Sequence, residues 1–209
     1  MNAEHLRAEF WNALTHGAGA VLSLIGGVAL ITLASLYGNG WQLTSAIVFS
    51  LSLIGLYTAS TFYHAVHEPK AKGRLKILDH CMIYVLIAGT YTPFTLIALR
   101  GDGGWLLFGT VWALAAAGIV FKLFFTGRFE LLSTLIYLAM GWLVVFAAGP
   151  MLRHVGTAEL VWLGVGGLFY SFGTVFYLWQ RLRHNHAIWH GFVLAGSASH
   201  FVAISYLVF

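Results

Sequence analysis

The sequence predicts an all-α integral membrane protein built as a single bundle of seven transmembrane helices. Three observations lead there. Of 209 residues, 59% are hydrophobic and only 9% charged, with a mean hydropathy of +0.82, whereas a soluble domain carries about 25% charged residues. Apolar runs of about 20 residues, long enough to cross a bilayer, recur along the chain. Lys and Arg gather in particular links between those runs, which is a topology signal. Too little polar surface remains to cover a water-soluble globule. No basic stripe sits on a soluble element, so the net charge of +4 does not point to nucleic acid. A single cysteine, Cys81, rules out an internal disulfide and a cysteine-rich metal site.

Each element follows from local punctuation. Residues 1–12 form a short polar start, read as an interfacial helix; they lack a small-residue cleavage site, so no removable signal peptide is expected. The first span, Ala13–Tyr37, stops at the turn signal Gly38-Asn39-Gly40. The second runs Trp41–His64. The charged segment from Ala65 to Lys76 then reads as a loop marked by Pro69 and Gly73. The third span is Ile77–Leu99, with Pro93 expected to kink it. Arg100–Gly104 is a tight turn, the fourth span is Trp105–Phe125, and Thr126–Glu130 leads to the fifth, Leu131–Gly149. Pro150–Thr157 reads as a loop, the sixth span is Ala158–Gln180 and the seventh Ala187–Phe209. No internal repeat or second domain is visible, so residues 1–209 read as one domain.

Counting Lys and Arg by side orients the bundle. Arg7, Lys70, Lys72, Arg74, Lys76, Lys122, Arg128, Arg181 and Arg183 fall on the N-terminal side, against Arg100 and Arg153 opposite. The positive-inside rule puts the N-terminus in the cytoplasm and the C-terminus outside. Lys122 is expected to snorkel from the inner end of its span. Trp41, Trp105 and Trp189 read as interfacial anchors.

With that topology, ionisable residues converge at one depth. His64 closes the second span, Asp79 and His80 open the third, and His186 and His190 open the seventh. If the last helix begins before His186, its two imidazoles share one face, with Cβ atoms about 5–6 Å apart, a spacing at which two nitrogens can hold one metal ion. Histidines are common at membrane boundaries, so it is the joint placement that carries weight: buried ionisable groups in a span are costly. Three imidazoles plus an open position make the arrangement of a catalytic zinc site. Zinc is favoured, although iron, copper and nickel also accept imidazole. Asp79 is then the general base or a partner for a zinc-bound water, whose pKa such a metal lowers to about 7; Lys76, one turn away, is its alternative partner. Ser60, one turn before His64, either assists there or bonds its own i−4 carbonyl. His80 points about 100° from Asp79, so at most one of the two faces the cluster, and Asp79 is favoured. His200, about 15 Å deeper, is expected to bond a hydroxyl on a neighbouring helix. His5, His67 and His184 are expected in solvated segments and His154 in an outer loop. Glu9, Asn12 and His16 share a face of the first helix and are expected to lock it structurally beneath the cluster.

At these residues the chain resembles the haemolysin III family, the bacterial branch of the progestin and adiponectin receptor family. The likeness rests on Glu9, Asn12, Thr15, His16 and Gly17, on Ser60 and His64, on Leu78, Asp79 and His80, and on His186 and His190. The resemblance implies a seven-helix bundle with its N-terminus inside and a zinc ion near the cytoplasmic face. It matches His64, His186 and His190 to the metal ligands, Asp79 to the acidic residue and Ser60 to the serine. The eukaryotic receptors resemble alkaline ceramidases, which implies hydrolysis of ceramide-like lipid amides. The sequence lacks their long N-terminal extension and has short outer loops, so no large extracellular protein ligand is expected. The expected function is zinc-dependent hydrolysis of a membrane lipid amide or ester within lipid homeostasis. A non-enzymatic homeostasis or sensor protein with structural zinc is the alternative. A haemolysin-like permeability factor ranks last: beyond His200, only the mid-span hydroxyls Thr90, Thr92, Ser171 and Thr174 hint at a polar path.

Overall fold

The computed structural model describes residues 3–209. Its elements are α1 (Ala3–Tyr37), α2 (Gly40–Ala65), α3 (Pro69–Pro93) extended by a π-helical turn (Phe94–Ala98), α4 (Gly104–Phe125), α5 (Glu130–Gly141), a 3₁₀ segment (Trp142–Ala147), α6 (Ala148–His154), α7 (Thr157–Leu178) and α8 (Asn185–Val208). Seven stretches are long and apolar enough to cross a membrane, with α5, the 3₁₀ segment and α6 together forming the fifth. The protein is a multi-pass membrane protein with no strand among its described residues.

Four boundaries differ from the sequence reading. The polar start is continuous with α1, because nothing between Ala3 and Ala13 breaks a helix. At 1.5 Å per residue α1 is roughly 52 Å long, well beyond an apolar slab of about 30 Å. The expected loop before the third span is largely helix. Glu68 caps it by accepting from the N–H groups of Lys70 at 2.9 Å and Ala71 at 2.6 Å, and Pro69 occupies the first turn, where a missing N–H costs nothing. The N–H groups of Ala71 and Lys70 hold the Glu68 carboxyl below its ordinary value. Pro93 ends the regular helix: the chain widens into the π turn, closed by Leu99 N–H on the Phe94 carbonyl at 2.9 Å. The fifth span breaks at Gly141, and Pro150 lies in the first turn of α6 instead of starting a loop.

Tyr91 manages the Gly141 break. Its hydroxyl donates to the Gly141 carbonyl at 2.8 Å, with that of Met140 at 3.1 Å, and accepts from Val144 N–H at 2.8 Å. A phenol on α3 thus replaces the backbone bonds the fifth span gives up. The turn between α1 and α2 is fixed by a reciprocal cap, in which Asn39 Oδ1 accepts from Gln42 N–H and Gln42 Oε1 from Asn39 N–H.

Burial is inverted relative to a soluble protein. Leu22, Ile25, Leu106, Phe124, Phe146 and Phe172 are all more than half exposed, while Ser45, Ser50, Thr92 and Thr95 are fully buried. The buried stripe of α1 reads Glu9, Asn12, His16, Gly19, Ser23, Gly27, Leu30, Ala34, a three-and-four spacing of small and polar residues facing other helices. Gly19 lets α1 approach α2 and α8 closely: a Cβ there would lie 2.7 Å from Tyr57 Cδ1 and 2.8 Å from Leu194 Cδ2. Helices α1 to α4 pack in chain order, α5 packs on α3 and α7, and α8 closes against α1 and α7 while also touching α2 and α3. One core joins Leu30, Phe49, Tyr57, Leu86, Val193 and Ile204; a second joins Tyr84, Val111, Ala115 and Met140. Between α3, α5, α7 and α8 lies a cavity of about 420 Å³. Its walls include both Asp79 and Phe94, so it follows α3 for roughly 22 Å.

Candidate metal centre

α8 begins at Asn185, whose side-chain amide also caps the end of α7 by donating to the carbonyls of Phe176 and Tyr177, both at 3.3 Å. His186 and His190 therefore occupy the first two turns of one helix face. His64 faces them from the last turn of α2. Ring centroids are 5.0 Å apart for His64–His186, 5.1 Å for His64–His190 and 4.6 Å for His186–His190. One nitrogen from each ring lies within 4.8 Å of the other two.

α1 sets the ring orientations. Glu9 Oε1 stands 3.4 Å from His64 Nδ1, and its other oxygen takes the Lys72 ammonium, which also donates to the carbonyls of Tyr63 at 2.9 Å and Val66 at 3.3 Å. A carboxylate only accepts, so His64 carries its proton on Nδ1. His64 Nε2 is left buried with no partner. His190 Nδ1 meets the Asn12 carbonyl at 3.2 Å and Thr15 Oγ1 at 3.1 Å; the carbonyl again fixes the proton on Nδ1 and leaves Nε2 as a lone pair. This is the arrangement by which a ligating histidine is usually held from behind.

The donor set fits zinc. Tetrahedral zinc with metal–nitrogen distances of about 2.0–2.1 Å separates its nitrogens by roughly 3.4 Å, so a pair at the 4.8 Å limit closes by about 1.4 Å to share an ion. An orphaned, buried Nε2 and two imidazoles fixed in the right tautomer are what such an ion satisfies.

Asp79, Ser60, His16, His80, His186 and His190 all line the polar end of the cavity. Ser60 does not bond its own helix. Its hydroxyl meets His16 Nδ1 at 2.7 Å and sits beside the Asp79 carboxylate. His16 in turn stacks on His190 with centroids 3.4 Å apart, so the first helix forms the floor of the cluster. Glu9 and Asn12 reach two of the three imidazoles, a part more specific than the structural lock expected of them.

Several expectations are corrected. Both Asp79 and His80 reach the cavity; His80 Nδ1 donates to the Lys76 carbonyl at 2.7 Å and lies 3.7 Å from Asp79 Oδ2. Lys122 does not snorkel: it is 2% exposed, with Nζ 2.6 Å from Ser133 Oγ. His200 bonds the Leu163 carbonyl at 3.2 Å, not a hydroxyl. Trp189 is half-buried and packs on α7 beside Tyr177 at 5.7 Å, whereas Trp41 and Trp105 do pair at 5.6 Å near the opposite end, with Arg100 over Trp41. Thr90, Thr92, Ser171 and Thr174 each donate to a carbonyl of their own helix and so make no continuous polar path. Thr15 and Lys72 were not legible as site residues from spacing alone; Thr15 stands one turn from Asn12, which is the only local signal.

The chain matches the family described as Haemolysin-III related over residues 4–201. It is 48% identical over 199 residues to a protein named "Hemolysin-3 homolog" from Bacillus subtilis, covering 95% of this chain and 93% of the relative. It is 45% identical over 205 residues to "Hemolysin-3" from Bacillus cereus, covering 98% and 94%. It is also 28% identical over 201 residues to the human "Monocyte to macrophage differentiation factor", covering 92% and 81%.

Proposed function

The chain belongs to the haemolysin III family, and from that premise and the geometry at the end of the cavity we propose that it is a zinc-dependent hydrolase of a membrane lipid amide or ester. The observation that carries the reading is the join of two features: of three imidazoles with converging nitrogens, His186 and His190 line a long, largely apolar cavity whose polar end also holds Asp79. The cavity suits an acyl chain, and a lipid already in the bilayer reaches it laterally. His64, His186 and His190 would hold the zinc, which supplies Lewis acidity and lowers the pKa of a water beside it. Asp79, at the polar end of the same cavity, would accept the proton of an attacking water and return it to the leaving nitrogen or oxygen. Ser60, fixed by His16, orients the attacked carbonyl. Glu9 and the Asn12 carbonyl hold the rings in place. The Lys and Arg asymmetry supports placing this end at the cytoplasmic face of a bacterial inner membrane.

Two measurements test this. Elemental analysis of the purified protein is expected to give about one zinc, lost in His186→Ala. Asp79→Asn is expected to keep the metal and abolish release of fatty acid from lipid amides or esters. A zinc-loaded wild type that turns over no membrane lipid sinks the enzymatic reading. It would favour a metal that ties α2 to α8 in a non-enzymatic protein, where His190→Ala unfolds the bundle and Asp79→Asn is silent.

A further inference from the structure

Among the described residues, Lys122 is the one buried Lys or Arg on the cavity wall, and the proposed reaction does not use it. It stands in the last turn of α4 with 2% exposure and lines the same cavity as Asp79 and His80. An ammonium has three donors. Ser133 Oγ takes one at 2.6 Å, and the Tyr137 ring lies 5.7 Å from Nζ. Among the described residues no carboxylate forms an ion pair with it. Glu130 acts on it only from a distance, and Cys81, Lys76 and His80 are ionisable neighbours as well. Ser133 belongs to the first turn of α5, whose N-terminus has no side-chain cap and carries the exposed Glu130 in the same turn. A buried ammonium with no carboxylate in direct contact is costly unless an anion joins it.

We propose that Lys122 anchors an oxyanion subsite, which takes the carboxylate or phosphate of a single-chain lipid whose acyl chain fills the cavity. The inference rests on the reading of the cavity as a lipid site and narrows its ligand to an acyl lipid that carries an anionic group. Ser133 positions the ammonium, and the two remaining N–H donors meet the oxyanion.

The test is equilibrium binding to the purified protein in nanodiscs, read by tryptophan fluorescence. The probes are N-oleoylglycine, its uncharged methyl ester and oleoyl lysophosphatidate. The wild type is expected to bind at least one of the two anions about tenfold or more tightly than the ester, and the preferred anion tells carboxylate from phosphate. Lys122→Gln is expected to erase that preference while leaving ester affinity unchanged, and Lys122→Arg to keep it. Equal affinity of the wild type for acid and ester overturns the inference without any variant, so a misfolded Lys122→Gln does not protect it. A preference that survives Lys122→Gln also overturns it, because the anion then sits on another group. Uptake of neither anions nor ester removes the lipid reading and this inference together, whereas uptake of ester without anion preference removes this inference alone.

Discussion

Replacing Glu9 by Gln isolates what α1 contributes to the cluster. The side chain keeps its size and its carbonyl can still accept from His64 Nδ1, but the negative charge shared between His64 and Lys72 is gone. Loss of a partner behind a ligating histidine lowers metal affinity by about 10–100-fold. The Glu9–His64 separation of 3.4 Å is long for a charge-assisted bond, usually about 2.7–2.9 Å, and Lys72 engages the second oxygen. The lower end therefore applies: about tenfold, or ~1.4 kcal/mol. Glu9→Ala also removes the acceptor, frees the His64 tautomer and is expected near the upper end. Zinc competition against a chromophoric chelator measures both, and circular dichroism of the metal-free variants checks that the helices persist. If both variants hold zinc within twofold of the wild type, the claim that Glu9 orients His64 is wrong.

Two further outcomes follow from the fold. Tyr91→Phe strips Val144 N–H of its acceptor and the Gly141 carbonyl of its donor at the break in the fifth span, so thermal unfolding in detergent should show a loss of about 1–3 kcal/mol; an unchanged transition would mean the break closes on its own backbone. At the opposite end, the Arg153 guanidinium at 2.6 Å and the His154 ring at 3.1 Å hold the Asp102 carboxyl below its ordinary range. A depressed folded pKa adds stability above the ordinary carboxylate value, near 4, and loses it as pH falls through the depressed one. Wild type should therefore melt slightly above Asp102→Asn at pH 7, with the gap closing below about pH 4; a gap that widens in acid would contradict the pairing.

Much of the molecule was legible in the chain. Period and length marked seven crossings because apolar runs must match the bilayer, and the H-x3-H spacing fixed two rings on one face because helix geometry is local. Two of the misread boundaries share a cause: Pro69 and Pro150 look like loop punctuation, yet both fall in a first helical turn, where proline has no hydrogen bond to lose.

Composition and spacing thus determined that this is a membrane bundle and that His64, His186 and His190 gather at one end. Only the tertiary structure decided which atoms meet. A sequence gives the depth of a residue along its helix, but rotation about each axis is set by packing at positions such as Gly19. That rotation turns Glu9 and the Asn12 carbonyl onto the imidazoles, brings His16 against His190 and points Lys122 inward, contrary to the snorkelling that its position at a span end suggested.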